Sequence, residues 1–172
     1  MRPADAIAAW LTEQGIEWEP GTRPGELVVT LPGERKLKTV VSLVAGDRDL
    51  AVSAFVIRNP DENHAGVHRY LLRRNLRLRR VGYALDNSDD VFLLGRVPLA
   101  ALTGGHLGQI LDEVLGEILE EADGMFNELL VRGFLTSMHK EWAWRVSRGE
   151  SLRNLEAFRD ILARPGDPGP EA

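Results

Sequence analysis

Apolar and polar residues alternate from Glu26 to Leu31, so that Leu27, Val29 and Leu31 share one face. A half-buried strand needs that period of two. Two further β-type runs follow at 37–44 and 50–57, joined through Pro32-Gly33-Glu34 and Gly46-Asp47-Arg48. Connections this short permit antiparallel hairpins and exclude parallel crossovers. Ahead of this meander, residues 4–14 place Ile7, Ala8, Trp10 and Leu11 on one helical face, with Gly15 as a stop and a loop from Pro20 to Gly25.

After the meander, Asn59-Pro60-Asp61-Glu62 reads as a helix start: a cap, a proline at the first helical position and a capping-box acid. The helix is expected over 60–75. A second hairpin is expected from 78–85 and 91–97, turning at Asp86-Asn87-Ser88-Asp89. From Leu107 to Leu130 apolar residues recur at helical spacing without a missed turn, which predicts one helix of about 36 Å. Gly124 is a place for a kink and Gly133 an end. Segments 134–146 and 151–162 read as two shorter helices, followed by the Pro/Gly tail ARPGDPGPEA. The order α-βββ-α-ββ-α is an α+β plan, an antiparallel sheet covered by helices with a C-terminal helical extension. It predicts a single domain over 1–163, with 134–162 as the extension and 164–172 as a disordered tail.

Composition narrows the classes. In 172 residues, 21 basic and 26 acidic side chains leave a net charge of −5, against non-specific binding to nucleic acid or anionic membrane by the whole molecule. The absence of cysteine removes disulfides, thiolate metal sites and thiol nucleophiles. The N-terminus lacks the apolar run of a signal peptide, and no run is long enough to span a bilayer. A cytoplasmic protein is expected.

Against that acidic background, RYLLRRNLRLRR at 69–80 holds six arginines. Arg69, Arg73 and Arg77 recur every four residues along one helical edge. Arg74, Arg79 and Arg80 fall at the helix end and the start of the next strand, and the acids of the long helix and of the second hairpin offer the whole stretch partners within the chain. Three readings stand: an internally paired charge face, a protein-docking patch, and a nucleic-acid strip over Arg69–Arg80, which the near absence of interleaved aromatics disfavours. His64 and His68 share a helical face, but two ligands do not make a metal site. Gly104-Gly105-His106-Leu107-Gly108 lacks the ending of a phosphate loop, and the DNSDD acids lack calcium-loop spacing. No nucleophile, base and orienting group can be assembled, so no catalytic residue, cofactor or metal is expected. Trp142 and Trp144 are two apart, so a helix cannot bury both on one face; one is expected to reach a neighbouring element or partner.

At RYLLRRNL, YALD, VFLLGRVPL, the FNELL–GFL run and EWAWRVSRGESLRNLEAF, over about 50–160, the sequence resembles the YbjN-domain family. The resemblance implies a fold similar to that of type III secretion chaperones, which are small, acidic, non-enzymatic, usually dimeric, and bind extended segments of other proteins. The family is described as sensory-transduction regulators, a label that carries no catalytic residues. The expected function is therefore a non-enzymatic protein-interaction module with a regulatory or chaperone-like role, a homodimer that also binds a protein or peptide partner. Arg69, Arg73, Arg77, Trp142 and Trp144 are its candidate docking residues. The alternative is a nucleic-acid-associated regulator.

Overall fold

Each of the three alternating runs becomes a strand, and the registers bring their apolar residues into line. A computed structural model describes residues 2–170. The chain runs through α1 (Pro3–Glu13), β1 (Glu17–Pro20), β2 (Glu26–Pro32), β3 (Lys38–Ala45), β4 (Asp49–Ile57), α2 (His64–Asn75), β5 (Gly82–Leu85) and β6 (Val91–Pro98). Then come α3 (Leu107–Ala122), α4 (Phe126–Arg148) and α5 (Arg159–Leu162), with single 3₁₀ segments at Leu99–Leu102 and Arg153–Phe158. All strands form one antiparallel sheet in the order β1-β2-β3-β4-β6-β5.

One cross-strand row, Trp18–Val29–Val41–Ala54–Leu93–Tyr83, traverses the whole sheet on its inner face. Ile7 and Leu11 of α1 and Leu111, Val114, Leu115 and Ile118 of α3 are buried with it in one core. The α+β class with a helical extension holds, with one more strand than the pattern predicts. β1 escapes the pattern because Glu17, Glu19 and Pro20 make it polar and proline-broken, the composition that blunts an edge strand.

Two helix boundaries differ from those the periodicity predicts, for one reason: backbone groups at helix ends find partners far away in sequence. The long helix breaks at 123–125 because the buried Asp123 carboxylate accepts N–H bonds from Arg35 and Lys36, both at 2.8 Å. Burial raises its pKa, but the backbone donors of Lys36, Arg35 and Glu34 outweigh that and hold it below the ordinary aspartate value. As the sequence predicts, the first helical stretch stops at Gly133: Phe134 leaves helical geometry at a kink (φ −139°, ψ 15°), and a second stretch, described with the first as α4, runs on to Arg148.

The segment expected to start the second helix is what fills that kink. Asp61 and Glu62 donate their N–H groups to the Gly133 carbonyl at 3.0 and 3.2 Å. Glu62 accepts the Thr136 N–H at 2.6 Å, and Asp61 accepts the Ser137 hydroxyl at 2.7 Å. Glu62 is thus a capping acid, but for the second half of α4, while α2 begins later at His64. The Arg58 guanidinium, with the Ser137 hydroxyl, holds the Asp61 carboxyl at about 2, against an ordinary value of 3.8. A depressed carboxylate contributes stability fully above its unfolded value and loses it as pH falls through its folded one. Asp61→Asn should therefore flatten part of the loss of thermal midpoint between about pH 4 and 2. The remainder belongs to groups such as Glu26, which Arg23 and Ser42 also hold at about 2. An acid limb unchanged in the variant would show that the clamp contributes nothing.

Of the expected tail, residues 171–172 lie outside the described residues. The rest makes specific contacts: Asp167 accepts the Trp142 indole N–H at 2.7 Å and the Arg164 N–H at 2.7 Å.

Candidate functional site

The arginine stretch divides into two sets with different work. Arg74 is directed inward and pairs with Glu121 of α3, which is 2% exposed and also accepts the Tyr83 hydroxyl at 3.0 Å. Arg80 pairs with Glu113. Glu117 caps the turn entering β5 by accepting the N–H groups of Arg79, Arg80 and Val81 at 2.7–2.9 Å. These contacts fix α2 and β5 to α3.

Arg69, Arg73 and Arg77 are exposed and form no ion pair with any described residue. The four-residue spacing finds the solvent edge; the paired residues are Arg74 and Arg80 instead. Between the free cations stand Leu72 and Leu76, 67% and 86% exposed, with Leu85 of β5 beside Leu72. This flank of α2 is a cationic and apolar stripe.

The tryptophans separate as their spacing requires. Trp142 is 1% exposed, with the Arg159 guanidinium 5.1 Å from its ring centre, and so serves the interior rather than a surface. Trp144 is 45% exposed, with Arg148 stacked 5.1 Å from its ring.

A second surface has no single-residue signature in the sequence. Helices α1 and α3 pack on the Val29–Val41 side, while α4 approaches the end of β4, where Phe55 lines a cleft with Phe126 and Phe134. The opposite face presents Val28, Ser42, Ser53 and Leu94 in one row, and Thr30, Val40, Phe55 and Phe92 near them. Val40, Phe55 and Leu94 are 39–45% exposed, and Phe55 meets Phe92 edge-on at 5.5 Å. The face from β2 to β5 covers several hundred Å² at strand spacings of about 4.8 Å. Apolar patches of that size on soluble proteins mark contacts. Strand addition is not the mode, because both edges are closed. The charges and proline of β1 blunt one edge. On the other, the Asn75 amide donates to the Tyr83 carbonyl at 3.2 Å and accepts the Tyr83 N–H at 2.7 Å, occupying the outward backbone groups of β5.

Most of the remaining candidates are tied into the fold, although the buried His68 Nε2 has no hydrogen-bond partner among the described residues. His64 Nε2 lies 2.6 Å from the Pro60 carbonyl, and no group of three or more potential metal ligands occurs among the described residues. Asp86 accepts the Ser88 and Asp90 N–H groups at 2.8 and 2.9 Å, and Asp90 accepts the Asn59 N–H at 2.7 Å, so these turn acids are committed to backbone. Gly108 gives Trp10 room, since a β-carbon there would lie 2.8 Å from its indole nitrogen. Among the described residues no helix is long and apolar enough to cross a membrane.

Comparison with known proteins places this geometry. A family model named YbjN, described as "Putative bacterial sensory transduction regulator", matches residues 3–130. Uncharacterized protein ML2442 of Mycobacterium leprae is 52% identical over 141 residues, 82% of this chain and 74% of that one. Uncharacterized protein Rv0487 of Mycobacterium tuberculosis is 51% identical over 142 residues, 83% of this chain and 75% of that one. Among solved structures, the Yersinia pestis type III secretion chaperone SycH, in complex with a stable fragment of YscM2, is similar at 20% identity. That match covers 67% of this chain and 95% of the chaperone, with a TM-score of 0.45.

Proposed function

The chain belongs to the YbjN family, and on that footing we propose that it is a non-enzymatic protein-interaction module with a regulatory or chaperone-like role in the bacterial cytoplasm, working as a homodimer. The observation that carries this reading is the open sheet face with both edges closed. The charges that reach it, Arg23 and Glu26 at Ser42, are paired with each other, so a second copy meets it without net like-charge repulsion, as aligned sheets do when they pack face to face. A standard interface takes about 800 Å² from each partner, which the apolar centre and its polar margin together approach.

The apolar stripe of the long helix offers no alternative interface, because Leu111, Val114, Leu115, Ile118 and Ala122 are consumed by the core. The α2 flank has the opposite chemistry. Two copies would bring three free arginines against three, whereas an acidic protein surface would neutralise them and cover Leu72 and Leu76. The sheet face therefore serves self-association, and the flank serves a partner protein.

Light scattering at tens of micromolar should give twice the 19.1 kDa chain mass. Val40→Glu/Leu94→Glu should give a monomer with an unchanged circular dichroism spectrum. A monomeric mass for the unaltered protein, or a dimer that survives the double substitution, counts against the sheet-face dimer. Replacing Arg69, Arg73 and Arg77 with glutamate should leave the dimer intact and abolish partner binding. Submicromolar, salt-dependent binding to duplex DNA or RNA, lost in that triple variant, would replace the partner reading with nucleic-acid regulation.

A further inference from the structure

β4 ends irregularly: its register against β6 shifts between Phe55 and Ile57. There the carbonyls of Phe55 and Val56 accept bonds from Lys36 Nζ at 2.8 and 2.9 Å. Beside this strand end lies an open cleft of about 540 Å³, flanked by α4 and by Leu155 of the 153–158 segment. Phe55, Phe126, Leu130, Phe134, Met138 and Leu155 make its wall. The volume is that of a small-molecule site, and the lining has the usual composition of one, apolar with few polar groups.

Those polar groups are not equally free. Arg58 holds Asp61 in a two-pronged pair and stacks 4.5 Å from the Phe134 ring centre. Ser137 donates to Asp61, and Glu141 pairs with Arg145 at 2.6 Å. Lys36 alone faces the cleft without a carboxylate partner among the described residues. Its ammonium lies 5.3 and 6.0 Å from the ring centres of Phe55 and Phe126. Two of its three donors are used, so one is left for a ligand. Burial pushes this lysine below the ordinary value, with the Asp123 charge acting the other way. An anion beside it would be held more strongly than in water, because the surroundings are apolar.

We infer that this cleft binds a small amphiphile with one carboxylate head on Lys36 and an alkyl or aromatic body against the α4 side chains. A phosphate head fits less well, since only one cation is free and the Arg58 fork is already filled. A bound body would bridge β4, α4 and the 153–158 segment. The cleft shares only Phe55 with the rim of the open sheet face and nothing with the α2 flank, so Val40→Glu/Leu94→Glu, which tests the dimer, leaves the rest of its lining in place.

The test uses the intact chain with methyl-labelled methionine, the Met138 signal being assigned by its loss in Met138→Leu. Decanoate below its micelle concentration should shift that signal saturably, at least tenfold more tightly than decanol or decylamine. Lys36→Met should remove the preference for decanoate and leave decanol affinity unchanged, while Lys36→Arg should retain it. An unmoved Met138 signal, equal affinities for all three heads, or a preference that survives Lys36→Met would overturn the inference. So would saturation by an acidic apolar peptide under conditions where decanoate fails.

Discussion

Replacing Arg74 with methionine should destabilise the protein by about 3–5 kcal/mol, the usual result of leaving one member of a buried ion pair alone. Glu121 is the group left behind: its side chain is 3% exposed, and without Arg74 only the Tyr83 hydroxyl remains as a donor. That hydroxyl cannot assume the charge, because burial, with the Glu121 charge and hydrogen bond adding to it, drives the Tyr83 phenol far above its ordinary pKa. The carboxylate is then left buried with one donor. Arg74→Met/Glu121→Leu should recover much of the loss, since apolar replacement of both partners removes the stranded charge. Urea unfolding at neutral pH should therefore show coupling of at least about 2 kcal/mol between the two sites. Strict additivity would mean that the pair is incidental and that α2 is held to the sheet by Val67 and Leu71 alone.

That pair also marks where the sequence stops being legible. Periodicity identifies Leu27, Val29 and Leu31 as a strand face because the signal is local, and it finds the apolar stripe of α3 for the same reason. It finds the exposed edge of α2 too, and offers the stretch the acids of α3 as partners, but does not say that Arg74 and Arg80 take them while Arg69, Arg73 and Arg77 do not. Spacing within a helix says which side chains are neighbours on that helix; it says nothing about which edge the next helix approaches.

Glu62 shows a subtler limit. Its chemistry as a capping acid is readable, yet its helix lies 74 residues further on, at Thr136. The break after α3 depends in the same way on a contact spanning 88 residues, from Asp123 to Arg35. β1 is hidden because an edge strand protected against aggregation is one whose pattern has been spoiled. Lys36 carries no motif at all. Its cleft exists only once β4, the loop before β3, α4 and the extension have met. The open sheet face is a case between these: the alternation that reveals the inner face implies an outer one, but not that it remains bare.

The tryptophan pair tests the same reasoning in the extension. Trp142→Ala should cost about 3–5 kcal/mol, the range for removing a large buried aromatic side chain. Its indole is buried in the core, to which Leu152, Phe158 and Leu162 of the extension also belong, and its N–H ties down Asp167 beyond α5. Trp142→Phe keeps most of the apolar volume and should cost less, largely the hydrogen bond of about 0.5–1.5 kcal/mol and the smaller ring. Trp144→Ala removes a half-exposed ring and should change stability by no more than about 0.5 kcal/mol. Limited proteolysis distinguishes local from global damage. In Trp142→Ala the chain should become cleavable between 149 and 167, since the contacts of the indole with Arg159 and Asp167 are lost, while the six-stranded sheet resists. Equal costs for the two alanine variants, or an unaltered cleavage pattern in Trp142→Ala, would show that the extension does not rest on Trp142.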